Sequence, residues 1–206
     1  MAEGGSIPTS PLQGFRRHRI MVCEFKRIRW IFEKYHYKGG HIGGGISFCF
    51  ALVDGLNVVG GAVIGKPRHN KKYSEDGKYV VLEIRRMALI GSCPKNSASY
   101  FLSKIIWYLR KHTNTNKVLS YADLSVGHTG TIYKAANFEL AGFTSPSKHV
   151  FWRGVRYHPR SLTIDRPYSY KLREAVKTGE ATIEEGKPKA IYIYNIRVGN
   201  DKERMV

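Results

Sequence analysis

Apolar positions along this chain follow two rhythms that alternate with each other. HRIMVCEF, residues 18–25, carries the pattern of a strand. In KRIRWIFEKYHY, residues 26–37, helical spacing turns Ile28, Trp30 or Ile31, and Tyr35 toward a core. After the joint GGHIGGG, the run ISFCFALVDGLNVVGGAVIGK reads as a hairpin, two apolar runs with an Asp54-Gly55 turn. The loop PRHNKKYSEDGK separates it from a long β-rich run, YVVLEIRRMALI, residues 79–90. Ala98, Phe101, Leu102, Ile105, Ile106 and Leu109 then recur at helical spacing, and Asn96, Ser97 or Ser99 can cap that helix. A strand follows at residues 117–123, then a Gly-rich turn, a short helix centred on Tyr133 and a strand entered near Phe138. The remainder reads as a strand (KHVFWRGVRYH), a helix (YSYKLREAVKTG) and a last strand (KAIYIYNIRV).

This order predicts an α/β fold with a central mixed, twisted sheet flanked by helices, plus a C-terminal strand-helix-strand extension from about residue 146. With 206 residues the chain has room for one sizeable core, placed at 18–198. The polar, Gly/Pro-rich residues 1–17 are expected to form a disordered tail, and 199–206 a frayed one. Cys23, Cys49 and Cys93 are odd in number and lack metal-ligand spacing, which suits a reduced, cytoplasmic protein. No apolar run reaches the roughly 20 residues that span a bilayer, so no membrane partner is expected.

Charge changes the picture. Lys and Arg number 34 against 16 acidic residues, for a net +18. An excess of that size points to a polyanion, and DNA leads because every neutralised phosphate releases counterions. Lys148, Trp152, Arg153, Arg156, His158 and Arg160 interleave base and aromatic as a nucleic-acid surface would. Equally, Trp152 and Tyr157 could lie in a core beneath a solvated basic strand. Arg16, Arg17, Arg19, Lys26, Arg27 and Arg29 form a second basic cluster.

Three places can carry chemistry. Asp123 closes a strand with Ser125, His128 and Thr129 just beyond it, where ligands bind in open α/β sheets. It is either a site carboxylate or a helix cap. The joint Gly91–Ser99 runs from a strand into a helix and can offer backbone N–H groups to a phosphate, with Lys95, Asn96, Ser97, Ala98 and Ser99 at its helical end. Arg85 and Arg86 are neighbours in a strand, so they are expected on opposite faces, Arg85 on that of Glu83. His36 and Tyr37 precede a Gly-rich joint and could reach the same cleft.

The element order from 18 to about 145 resembles the GNAT acyltransferases. Their loop before the long helix cradles acetyl-CoA pyrophosphate; here it corresponds to Gly91–Ser99, without the second glycine of the usual pattern. The resemblance implies cofactor contacts from Met87, Leu89 and that loop. It also implies a general-acid tyrosine, matched by Tyr133 in TIYKAANF. HYKGG, LEIRRMAL, CPKNSASYFL and SYADLSVGHTGTIYKAANF more closely resemble the Mom group of phage DNA-modification proteins, which carbamoylmethylate adenine in DNA. That resemblance implies Asp123, Tyr133, His36, Tyr37 and Arg85 as catalytic residues. His36, Asp123 and Tyr133 become possible iron ligands. The alternatives are an N-acyltransferase acting on another aminated base or a protein amine, and a non-catalytic basic DNA-binding module.

Overall fold

The first apolar runs fold in the expected order. The computed structural model describes residues 18–43, 45–75 and 77–196; the tails expected at 1–17 and 199–206 lie outside them. β1 (His18–Val22) leads into α1 (Phe25–Tyr35). β2 (Phe48–Asp54) and β3 (Asn57–Gly65) pair antiparallel across a two-residue turn, with Asp54 opposite Asn57. Gly55 supplies the positive φ, +59°, that this turn needs. There follow α2 (Asn70–Ser74), β4 (Val81–Leu89), α3 (Ser97–His112), β5 (Lys117–Asp123), α4 (Thr131–Ala135) and β6 (Glu139–Phe143). The chain continues through β7 (Lys148–Trp152), β8 (Val155–Tyr157), α5 (Pro167–Thr178), β9 (Ala181–Glu185) and β10 (Lys189–Asn195). Seven strands form a mixed sheet in the order β1-β2-β3-β4-β5-β10-β6, and three more the sheet β8-β7-β9.

Packing gathers into two units where the sequence reads one domain with an extension. Among the described residues, the first takes in those up to Ser120, Thr131–Glu139 and those from Ile193 on; the second is Tyr121–Gly130 and Leu140–Tyr192. In the first, α1 buries Ile28, Ile31 and Phe32 against Cys49, Ala51, Val53, Val63 and Ala88. The approach is close: a Cβ on Gly61 would lie 3.0 Å from Ile28 Cβ. Burying each such Ile or Phe contributes about 1.5–3 kcal/mol. Of the alternatives Trp30 or Ile31, Ile31 is the inward one and Trp30 is 43% exposed; Tyr35, expected inward, is 40% exposed. Residues 28, 31 and 32 fill the inward face, and a turn of roughly 100° per residue carries 30 outward; 35, seven residues beyond Ile28, shares the inward phase and is exposed because it closes the helix.

α3 buries Phe101, Leu102, Ile105, Ile106 and Leu109, as its pattern predicts. Its start differs from expectation. Asn96 is left-handed (φ 70°) and its side chain makes no cap. Ser97 and Ser99 turn their hydroxyls backward, onto the carbonyls of Pro94 (2.7 Å) and Asn96 (3.0 Å).

In the second unit, the stretch read as one strand over 148–158 is a hairpin. Arg153 (φ 51°) and Gly154 (φ 74°) form its turn, and Trp152 faces Val155. Positive φ at both central residues matches the turn to the twist of its strands. β9, which the sequence reading lacks, pairs antiparallel with β7, with Val150 opposite Ile183. Val150, Leu172, Ala175 and Ala181 form the core here, with Trp152, Tyr157, Leu162 and Val176 packed against it.

Candidate active site and basic surfaces

β4 carries the first departure that matters for chemistry. Opposite β3, Val63 pairs with Arg86 but Ile64 pairs with Ile84, so Arg85 is an extra residue, a β-bulge. A bulge breaks alternation and re-aims side chains. Arg85 and Arg86 therefore do not serve opposite faces. Arg85 donates to the carbonyls of Gly43 and Lys66. Arg86 donates to the carbonyl of His41 at 3.4 Å and to that of Arg85 at 2.8 Å. Both guanidiniums thus hold the stretch at residues 41–43. Burial pushes Arg86 below its usual value; Tyr37 and Glu83 oppose this, while Arg68 and Arg85 add to it.

His36 and Tyr37 stand at the end of α1. Their rings stack with centroids 4.7 Å apart. His36 Nδ1 accepts the Lys38 N–H at 3.1 Å, and the Lys38 ammonium lies 5.1 Å from the Tyr37 ring centre. Tyr37 is 47% exposed and within electrostatic range of Arg86. His36, Tyr37, Arg85 and Arg86 are therefore neighbours in the first unit.

Asp123, buried at the end of β5, is a cap and an ion-pair partner at once. Its Oδ1 accepts the Ser125 N–H at 3.2 Å and the Ser125 hydroxyl. Its Oδ2 lies 3.8 Å from Lys189 Nζ. Sequence reasoning missed Lys189; its only signal was its place at the start of the last apolar run. Nearby, Gly130 packs against Tyr192, whose hydroxyl donates to the Thr129 carbonyl at 3.4 Å. Tyr133 belongs to the other unit, on α4. It is half-buried, with its ring 5.7 Å from that of Phe138.

The joint before α3 is built from tight turns. The Cys93 N–H bonds to the Ile90 carbonyl at 3.2 Å and the Ser97 N–H to the Pro94 carbonyl at 3.1 Å. Ser97 is buried, while Lys95 and Asn96 are exposed. The first-turn N–H groups of Ala98 and Ser99 have no acceptor within a helix by geometry. Met87 and Leu89, two apart on β4, are half-buried.

In the second unit the basic residues have varied partners. Lys148 pairs with Glu185 at 3.6 Å. Arg153 lies over Trp152, 4.8 Å from the ring centre. Trp152 packs on the core with its indole N–H buried and unbonded among the described residues. His158 Nδ1 accepts the Arg160 N–H at 3.1 Å, capping a short turn. Arg156 reaches His149 Nε2 at 2.6 Å, and Ser147 Oγ is 3.0 Å from the same atom. Burial first, then the Arg156 and His158 charges, lower the His149 pKa, against Asp123 and Glu184. Sequence reasoning did not find His149, because one His in a basic strand has no distinctive spacing.

Among the described residues, no group of three or more His, Cys, Asp or Glu side chains comes together to hold a metal. His36 has already committed one ring nitrogen to Lys38. The iron expectation for His36, Asp123 and Tyr133 finds no support in this donor set. All three thiols are free, and burial raises each, Cys49 to about 11. No helix among the described residues is long and apolar enough to cross a membrane.

Comparison with known proteins fixes the fold and the family. The model of the Mom protein family matches residues 17–203. No curated protein sequence matches the chain. The structure is similar to the ribosomal-protein-S18-alanine N-acetyltransferase of Escherichia coli, at 11% identity and a TM-score of 0.53, over 90% of this chain and 97% of that one. It is similar to the ribosomal-protein-S5-alanine acetyltransferase of Vibrio fischeri, at 8% identity and a TM-score of 0.51, over 88% and 94%. It is also similar to Arabidopsis thaliana NAA60, solved with acetyl-CoA, at 10% identity and a TM-score of 0.51, over 87% and 98%.

Proposed function

The chain belongs to the Mom protein family, and on that premise we propose that it modifies the exocyclic amine of adenine in DNA, in a carbamoylmethyl-type reaction that uses acetyl-CoA. It is a GNAT-like transferase of the phage DNA-modification type. The family match across nearly the whole chain carries this reading. The net charge of +18 agrees with a DNA substrate.

Roles follow from the chemistry each group can perform. An exocyclic adenine amine is a poor nucleophile and needs a positioned base. Asp123 suits that role, because Ser125 fixes Oδ1 while Oδ2 lies 3.8 Å from the Lys189 ammonium. Tyr133 protonates the thiolate of coenzyme A as an amine nitrogen takes the acyl carbon; joining the acetyl methyl carbon to the adenine amine further consumes a two-electron oxidant, and the amide nitrogen comes from an ammonia-level donor. His36 and Tyr37 supply stacked rings for orienting the base, and Arg85 holds the neighbouring backbone. The exposed joint at Lys95 and Asn96, with the N–H groups of Ala98 and Ser99, receives the cofactor pyrophosphate; Met87 and Leu89 line its acyl end. Arg153, Arg156 and Arg160 contact DNA phosphate. An enzyme reaching a base in a duplex must extrude it. Trp152 packs on the core, so Tyr37 suits stacking on the extruded base better. The reaction belongs in the cytoplasm of the host cell.

Nucleoside mass spectrometry of DNA from cells expressing the protein tests this. A mass gain on adenine supports the reading. A gain on another base moves the activity to that base. Unmodified DNA together with an acetylated protein amine replaces it with protein N-acetylation. No gain on any substrate refutes turnover and leaves a DNA-binding module.

A further inference from the structure

The bulge in β4 concentrates positive charge on a stretch of bare backbone. The Arg85 and Arg86 guanidiniums donate to four backbone carbonyls, of His41, Gly43, Lys66 and Arg85. Carbonyls satisfy hydrogen bonds without neutralising charge, and the Glu83 carboxylate felt at Arg86 is set against the added charges of Arg68 and Arg85. The Nε atoms of both arginines are buried without an acceptor among the described residues. Buried donors on a cation are rarely left so without reason. Arg68 and Lys66 are exposed beside them. Arg68 Nη2 would lie 3.6 Å from a Cβ on Gly43, and its charge is felt at Arg86. Gly39 has open space where a side chain would be, and Gly43 meets only Arg68. The exposed, stacked ring of Tyr37 lies within electrostatic range of Arg86.

We propose that the surface formed by Gly39–Gly43, Lys66 and Arg68 over the β4 bulge is a phosphodiester-binding site for the DNA strand. Arg68 makes the direct phosphate contact, and Arg85 and Arg86 provide a fixed positive field beneath it. A guanidinium suits a phosphate because its N–H groups match two oxygens at once. The backbone is open at Gly39 and Gly43, while Gly40 between them packs on the Glu33 side chain, so a strand comes close at the Gly43 end beside Arg68, and a phosphate held there leaves its neighbouring base near Tyr37. This inference rests on the reading of DNA as substrate. It adds an anchor in the first unit, apart from the C-terminal arginines.

The test is Arg68→Ala, with Arg153→Ala/Arg160→Ala for comparison, binding a fluorescent DNA duplex across a salt series. Thermal melting controls for folding, and acetyl-CoA affinity is measured by calorimetry. Arg68→Ala is expected to weaken DNA binding about ten-fold at low salt and to lower the slope of log affinity against log salt by about 0.9, one phosphate contact. Acetyl-CoA affinity should not change. An unchanged slope in Arg68→Ala, with a reduced one in the comparison variant, overturns the site and spares the DNA reading. A loss confined to acetyl-CoA affinity also overturns it, since the phosphate would then be the cofactor's. Failure of the unaltered protein to bind DNA overturns both.

Discussion

Replacing Asp123 by Asn separates the two roles its geometry allows. Oδ1 accepts the Ser125 N–H at 3.2 Å and the Ser125 hydroxyl, while Oδ2 faces Lys189 Nζ at 3.8 Å. Asn keeps an acceptor oxygen for Ser125, so the cap, worth about 0.5–2 kcal/mol, survives. What goes is the negative charge opposite a partly exposed lysine, worth at most about 1 kcal/mol. At roughly 2–4 °C per kcal/mol for a chain of this length, Tm should fall by no more than about 4 °C. Asp123→Ala removes cap and charge together, roughly 0.5–3 kcal/mol, so Tm should fall by about 1–12 °C. Melting curves of both variants are paired with nucleoside mass spectrometry of DNA from cells expressing each. Asp123→Asn is expected to melt near the parent yet leave adenine unmodified. Parental levels of modified adenine in that variant would reduce Asp123 to a cap. An Asn variant less stable than the Ala variant would refute the arithmetic, because the carboxylate charge would then outweigh the cap.

Other outcomes follow from single contacts. Gly130→Ala should cost about 2–5 kcal/mol, seen as a lower denaturant midpoint, because the new Cβ would sit 2.2 Å from the Tyr192 hydroxyl at a φ of +75°. Tyr192→Phe should not rescue it, since ring carbons lie at 2.4 Å. For His149, burial and then Arg156 hold the folded pKa below the usual imidazole value. The unfolded chain therefore gains its proton first as pH falls: the stability from neutral His149 is complete above about pH 6.5 and is lost as pH drops through the folded value. His149→Gln should flatten that acid limb in denaturant midpoints measured across pH. Cys49, raised to about 11, and the raised Cys23 and Cys93 should alkylate more slowly in the folded than in the unfolded protein at about pH 8, read by mass spectrometry.

Where one periodicity ran unbroken, the sequence was a good guide to the fold. β5 spans Lys117–Asp123 as read, and α3 buries the apolar positions at its helical spacing. The hairpin turn at Asp54-Gly55 was legible because Gly at positive φ is its physical requirement. The turn at Arg153-Gly154 was not, because an arginine in the left-handed region is uncommon and the apolar pattern runs straight through it. β9 escaped because four of its five residues are exposed and ATIEE has no apolar rhythm to detect. Trp30 competed with Ile31 because aromatic side chains look like core residues, yet the phase of a helix filled by Ile28, Ile31 and Phe32 leaves Trp30 outside; Tyr35 has the inward phase but closes the helix, where it is exposed.

The site was legible in kind more than in arrangement. Strand alternation alone puts Arg85 and Arg86 on opposite faces, and it is valid only while the two strands stay in register. One extra residue, invisible in a run as uniformly β-forming as VLEIRRMAL, brings both guanidiniums onto the same stretch of backbone. Asp123 shows the complementary case. A carboxylate two residues before a serine reads as a cap from sequence, and it is one; the ion pair with Lys189, far along the chain, exists only once the chain has folded. Capping and chemistry do not compete for the same atom, since Ser125 binds Oδ1 and leaves Oδ2 toward the lysine. A carboxylate spreads its charge over both oxygens, so the Ser125 cap and the Lys189 contact act on one and the same group.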